Sequence, residues 1–267
     1  GLDTEKNGVT LVYDLGGGTF DVTLLKIEDG CFTVIGTDGD RNLGGFDFDN
    51  ALMSFVAEEL SKQGAGNVLE DYLISAELRE KCEMVKRTLS NVPKANLHIS
   101  KDGKPYRVAI SREDFERASR SLLSRTQELV EDVLEDTGYS WAQIDHVVLV
   151  GGSTRMPMVH KLIEDISGMK PELGVNPDEA VAMGAAVQAA IEMESSTDVA
   201  GASEKSLPDM PLFTVPNVVI ADVTSQPLGV VMLGKDGKDY NNVVIPRNSP
   251  VPGSYSQDAA TVSENQS

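Results

Sequence analysis

One pattern occurs twice in this chain and constrains it more than any other feature. Leu11-Val12-Tyr13-Asp14-Leu15 is an apolar strand that ends in Gly16-Gly17-Gly18-Thr19. His146-Val147-Val148-Leu149-Val150 is a second such strand, and it ends in Gly151-Gly152-Ser153-Thr154. Glycine lacks the Cβ that holds a backbone away from a ligand. Successive N–H groups in such a loop form a concavity for an anion. The second loop leads into a helix, whose N-terminus adds a favourable dipole. A single glycine run is more simply a tight turn. Two of them at strand ends point to phosphates held between them.

The rest of the chain supplies the frame. Residues 19–27 resume a strand after the first loop, so the two strands form a hairpin, and 31–36 is a third strand after an Asp29-Gly30 turn. The stretch 47–62 turns helical, with Phe48, Leu52, Phe55, Val56 and Leu60 on one face. A second helix covers 71–89, and 96–110 is another hairpin around Lys101-Asp102-Gly103-Lys104. Ser111 and Asp114 form a capping box that opens one long helix, predicted to stop at Gly138. After the strand 144–150 and its glycines, a helix runs through Ile166. Asn176-Pro177-Asp178-Glu179 starts another that continues from Ala180 to Met193. Its small residues, Gly184, Ala185, Ala186, Ala189 and Ala190, predict close packing against a neighbour.

Composition shifts near Glu194. Residues 194–217 are rich in Ser, Asp, Glu, Ala and Pro and read as a linker. An apolar stretch, 218–223, follows, and then short strands with turns at Gly234, Asp236-Gly237 and Asn248. The final residues are polar and predicted to fray. Some forty residues after the linker are too few for an independent sandwich. The opening Gly1-Leu2-Asp3 reads as the interior of a longer gene product.

Charge narrows the partners. The 23 Lys and Arg against 42 Asp and Glu leave a net charge of −19. Such a chain repels phosphate backbones and anionic bilayers, which argues against nucleic acid and membrane as partners. No run of 18 apolar residues marks a membrane span. The two cysteines, Cys31 and Cys82, and the three histidines, His98, His146 and His160, form no metal framework or disulfide scaffold. The expected setting is reducing, intracellular and cytoplasmic. The Walker loop, the dinucleotide fingerprint, the nucleophile elbow and the zinc-protease helix are all missing.

Two sets of side chains accompany the loops. Asp14 and Asp21 flank the first, where magnesium, which takes oxygen ligands and bridges phosphates, would suit them. For Asp21 a turn cap is the plainer alternative. Thr19 offers a hydroxyl where a terminal phosphate would lie. On the second helix Glu83, Lys86, Arg87 and Ser90 fall at i, i+3, i+4 and i+7, one face. That face is either a solvated stripe with a Glu83–Arg87 pair or a wall for ribose and purine. Arg155 could stack its guanidinium on the base.

The string from Asp14 to Asp21, Asp-Leu-Gly-Gly-Gly-Thr-Phe-Asp, resembles the second phosphate loop of the DnaK family, the 70-kDa heat-shock chaperones. Four further segments resemble that family in the same order. They are Leu43-Gly44-Gly45 with Asp47-Phe48-Asp49; Lys86-Arg87-Thr88-Leu89-Ser90; Val150-Gly151-Gly152-Ser153-Thr154-Arg155; and Asn176-Pro177-Asp178-Glu179-Ala180. The apolar 218–222 with Val223-Thr224 is similar to its interdomain linker and the opening of its substrate domain.

The resemblance implies an actin-like ATPase fold, α/β, of ribonuclease-H-like lobes. By that resemblance 1–193 is the second lobe, 194–221 an acidic segment and linker, and 222–267 the start of a truncated substrate-binding β-sandwich. It implies ATP or ADP with Mg²⁺, and K⁺ alongside. Gly16, Gly17, Gly18 and Thr19 would cradle phosphates, and Asp14 and Asp21 would order the metal and the attacking water. Glu83, Lys86, Arg87 and Ser90 would bind adenosine. Gly151, Gly152, Ser153 and Arg155 would close over it, with Asp178 nearby. Unfolded polypeptide clients, a J-domain co-chaperone and a nucleotide-exchange factor are the implied partners.

The chain also departs from that pattern. The first lobe, with its own phosphate loop, is missing, so turnover by this segment alone is not expected. Phe46 stands where the family usually has an acid. Another actin-like ATPase, such as a sugar kinase or filament protein, and a relative that binds nucleotide without turnover are the competing readings.

Overall fold

The structure, a computed structural model, describes residues 7–172, 176, 178–197, 219–234 and 236–258. The opening residues, most of the linker 194–217, Pro177 and the polar terminus lie outside the described residues.

Alternation of apolar and polar residues builds the first hairpin. Strands β1 (Gly8–Leu15) and β2 (Phe20–Glu28) pair antiparallel, and β3 (Cys31–Asp40) adds beside β2. Leu11, Tyr13 and Leu15 alternate inward, as do Phe20, Val22 and Leu24, and all six are fully buried. The Tyr13 ring meets Phe20 edge-on at 4.6 Å, and its hydroxyl bonds to Thr126 Oγ1 at 2.8 Å. A buried aromatic hydroxyl thus keeps a partner, as burial demands.

Helices α1 (Gly45–Lys62) and α2 (Tyr72–Asn91) follow, with the hairpin of β4 (Lys94–Lys101) and β5 (Lys104–Ser111) packed against them. Asp71 caps α2 by accepting from the Leu73 and Ile74 amides. The predicted capping box at Ser111 and Asp114 is present, and its hydrogen bonds hold the Asp114 carboxyl below the usual carboxylate range. Helix α3 (Arg112–Ala118) is then interrupted at Ser119, and α4 (Arg120–Thr137) resumes. The single long helix of the sequence reading is therefore two. Ser119 is fully buried; its hydroxyl donates to Phe115 O at 2.8 Å and touches Met158 Sδ. A hydroxyl bonded back into its own helix bends it. Gly138 ends α4 in the left-handed region, as predicted.

Strand β6 (His146–Val150) runs parallel to β1, with Asp14 opposite Val150. The strand starts at His146, later than predicted, because Trp141–Gln143 form a turn of 3₁₀ helix. The second glycine loop passes through another 3₁₀ turn, Gly152–Arg155, into α5 (Pro157–Ser167). Helix α6 (Ala180–Thr197) extends past Met193, so the segment after Glu194 begins as helix. Its small residues meet no neighbour among the described residues: every residue from 181 to 189 is exposed. Alanines, valines and methionine surround the axis without forming one stripe, and the described chain offers them no facing surface.

The apolar stretch after the acidic segment joins the sheet. Strand β7 (Val219–Val223) pairs parallel with β3, and the short β10 (Pro250–Val251) pairs with β7. The mixed sheet has the order β10-β7-β3-β2-β1-β6. Strands β8 (Leu228–Leu233) and β9 (Asp239–Ile245) form a separate hairpin. Arg247 anchors this tail: it pairs with Asp38, lies 3.5 Å from Asp136 and donates to Thr37 O at 2.9 Å. Asn248 accepts from the Thr37 amide at 3.1 Å.

Candidate functional site

Hairpin geometry sets the chemistry of the first loop. In the register of β1 and β2, Asp14 stands directly opposite Asp21, one pair before the loop, while the next pair, Leu15 and Phe20, points into the core. Two carboxylates therefore share the outer face beneath the glycines. Like charges placed opposite each other across strands destabilise. Burial pushes the Asp14 carboxyl up, and the charge of Asp21 pushes it further. Burial also raises Asp21, against the opposing pull of its hydrogen bond from Thr19 and of Arg41. A half-buried pair of carboxylates is an environment that a divalent ion relieves.

The parallel pairing of β1 with β6 brings the second loop alongside the first. Gly151 sits at φ 85°, and a Cβ there would meet the Leu15 carbonyl carbon at 2.5 Å and Asp14 Oδ1 at 2.7 Å. Ser153 Oγ donates to Gly16 O at 2.9 Å. The same carbonyl accepts from the Gly45 amide at 3.0 Å, and Gly17 O accepts from the Phe46 amide at 2.8 Å. Gly16 O is thus the point where two glycine loops and the start of α1 are joined. At Gly44 an added Cβ would lie 2.5 Å from Gly18 Cα and Gly18 N. Gly17 and Gly18 themselves face open space.

These elements surround a cleft of about 1240 Å³. Gly17, Glu83, Lys86, Arg87, Ser90, Gly152, Ser153, Arg155 and Asp178 line it, so the stripe on α2 and the second loop face one cavity. Asp14, Gly16, Gly18, Thr19, Asp21 and Gly151 belong to the hairpin and the loop ends and are not among the lining residues. Several of these side chains also bond within the protein. Glu83 and Arg87 pair with each other at 2.5 Å on the rim, the solvated pair of the plainer alternative. Ser90 Oγ bonds back to Lys86 O. The Ser153 hydroxyl is directed to the first loop, which makes it a positioning group. Arg155 Nη2 donates to Asp178 Oδ2 at 2.6 Å, with both side chains more than half exposed, so this pair stabilises little by itself.

Sequence reading missed Asp49 and His160, which also line the cleft, and Phe46 proves to line it too. Phe46 is half exposed, with the Arg79 guanidinium 4.8 Å above its ring. The spacing Gly45 to Asp49, one helical turn, was the available signal for Asp49. Of the remaining candidates, Cys82 is a core thiol whose pKa burial pushes up to about 12. His146 Nδ1 lies 2.6 Å from Glu172 Oε1.

The residues present fit a magnesium nucleotide. The two aspartates supply oxygen ligands at the loop base, and the open glycine backbone supplies donors. Among the described residues no cluster of three His, Cys, Asp or Glu could hold an ion alone. An ion bound here would therefore rely on phosphate oxygens and water as well, as Mg²⁺ commonly does. Among the described residues no helix is long and apolar enough to cross a membrane.

A family model described as Hsp70 protein matches residues 1–267. A "Chaperone protein dnaK" of Thalassiosira pseudonana is 38% identical over 272 aligned residues, covering 100% of this chain and 41% of its own length. A ribosome-associated molecular chaperone of Saccharomyces cerevisiae is 41% identical over 266, covering 98% of this chain and 40% of its own. The chain thus spans about two fifths of the length of these relatives. Its mixed sheet and flanking helices are the actin-like ATPase fold of that group, and the chain belongs to the Hsp70 family.

Proposed function

We propose that the cleft binds ATP and ADP with Mg²⁺, and that the complete protein is a DnaK-type chaperone. In it, ATP hydrolysis governs the grip on unfolded polypeptide. The observation that carries this reading is the convergence of both glycine loops on the Gly16 carbonyl above the Asp14–Asp21 pair. Bound Mg²⁺ would neutralise charge on the phosphates. The chain's own part is positional: the glycine backbone offers N–H donors, Asp14 and Asp21 would hold the metal and a water, and Thr19 would orient its hydroxyl beside them. Such catalysis is electrostatic and needs no covalent intermediate.

Coupling to clients is supported by strand β7. The apolar linker is a strand of the same sheet that carries the phosphate loop, separated from β1 by only β3 and β2. Arg247 ties the tail that follows it to Asp38 and Thr37 on β3 and to Asp136 at the end of α4. Displacing the tail would loosen strand β3, which is paired with β2 and so with Asp21. We further assign a K⁺ ion beside the phosphates, a J-domain co-chaperone, a nucleotide-exchange factor and a cytoplasmic location to the complete protein, from the family resemblance.

The test is ATP turnover by the full gene product that carries these residues, with and without an unfolded apolar peptide. Peptide-stimulated, Mg²⁺-dependent turnover is the expected result. Turnover indifferent to peptide would refute the coupling, and no turnover would reduce the site to nucleotide binding. Arg155→Ala is expected to weaken ADP binding by about tenfold, the worth of one good stacking contact. Unchanged affinity by calorimetry would remove Arg155 from the site.

A further inference from the structure

Lys86 is not the free cation that its place on the α2 stripe implies. Its Nζ donates to Asp49 Oδ2 at 2.9 Å and to Gly45 O at 2.9 Å. Asp49 Oδ1 is also 2.9 Å away, but it is buried and has no aligned hydrogen bond. Both side chains are 11% exposed, and both residues line the cleft. An ammonium has three donors. Two are committed to α1, so the direction of the third is set by the protein. The neighbouring carboxylate also compensates the charge. Gly45 and Phe46, the first residues of the helix that carries Asp49, are the ones bonded to Gly16 O and Gly17 O. The pair therefore fastens the nucleotide-facing stripe of α2 to the helix that grips the phosphate loop.

We propose that Asp49 is a positioning residue of the nucleotide cleft: it fixes Lys86 against the Gly45 carbonyl and compensates its charge. Lys86 then meets the nucleotide as an oriented hydrogen-bond donor and not as a phosphate-seeking cation. This inference rests on the nucleotide reading of the cleft given above.

ADP affinity by calorimetry tests it, on the full gene product, for the unsubstituted protein, Asp49→Asn, Lys86→Met and the double variant. Each is measured at about 0.05 M and about 0.5 M salt, where exposed charges are weakly and strongly screened. Asn keeps the shape and one acceptor but releases the lysine charge. Asp49→Asn is expected to bind ADP roughly tenfold more weakly at high salt, a typical coupling for groups in contact. At low salt most of that loss is expected to be recovered through the uncompensated cation, so the salt dependence steepens. In the Lys86→Met background Asp49→Asn is expected to weaken binding no further, because its effect acts through Lys86.

A salt dependence unchanged by Asp49→Asn overturns the proposal, and so does an equal loss with and without Lys86, the result for a purely structural aspartate. Should Asp49→Asn alone fail to fold, Lys86→Met against the double variant decides: weaker binding by the double variant refutes it. An unsubstituted protein that binds no ADP fails the nucleotide reading itself, and that result precedes any variant.

Discussion

Asp14→Asn is expected to slow Mg²⁺-dependent ATP turnover by about 10²–10³-fold, the size of effect seen when one preorganised electrostatic group is removed from an active site. ADP affinity should fall far less, since the glycine backbone and the α2 stripe remain. Single-cycle hydrolysis on the full gene product checks the first statement and calorimetry the second. Equal turnover would remove Asp14 from the chemistry.

The same substitution should raise the stability of the unliganded protein. Burial, and then Asp21, lifts the Asp14 carboxyl above its ordinary value. Its folded pKa thus exceeds its unfolded one. Between those two values the folded state holds more protons, so stability declines as pH rises through the window. At neutral pH the native protein carries that cost in full. Asn cannot ionise, so the decline above the normal carboxylate range of about 4 should be shallower in Asp14→Asn. Because Asp14 is only half buried, the gain is discounted for solvent screening and should amount to about a degree or two in Tm. Thermal unfolding across that pH range measures it, and a variant less stable than its parent at neutral pH would contradict the account. A residue that destabilises the empty fold and serves the loaded one is a common signature of a functional site.

Gly151→Ala is the second large effect. The residue lies at φ 85°, and its Cβ would strike the Leu15 carbonyl carbon and Asp14 Oδ1. The first obstacle is backbone and cannot rotate away. A cost of about 2–4 kcal/mol in unfolding free energy is expected, backbone strain plus displaced packing. Gly168→Ala is the matched control: it too has positive φ, at 70°, but its Cβ would meet nothing within 4 Å. That variant should lose only about 1 kcal/mol. Denaturant unfolding of both separates conformational strain from close approach, and equal losses would show that the loop contact contributes nothing.

Legibility in the sequence followed the range of the forces involved. Both glycine loops, the hairpin that holds Asp14 and Asp21, the capping box at Ser111 and the stop at Gly138 were readable, because each depends on neighbours a few residues away. The break at Ser119 was not readable: the apolar period continues through it, and only a fold that buries its hydroxyl beside Met158 bends the helix there. What α6 packs against was not readable for a related reason, since small residues permit close approach without naming the partner. Within the cleft, Glu83, Lys86, Arg87 and Ser90 were visible as one helix face, but what that face meets was not. Asp49 and Lys86 are 37 residues apart, Gly16 and Ser153 137, and Thr37 and Arg247 210.

By itself, then, the sequence determined the local elements and the two glycine loops: strand periodicity, turn sterics and the absence of Cβ at the loops act over a few bonds and leave a direct trace in residue order. The tertiary structure alone decided that the two loops share one carbonyl, that Asp49 holds Lys86 against α1, and that the apolar stretch 219–223 becomes a strand of the mixed sheet. Those are choices among many possible long-range pairings. They are settled by which apolar faces can be buried together, and no short stretch of residues encodes them.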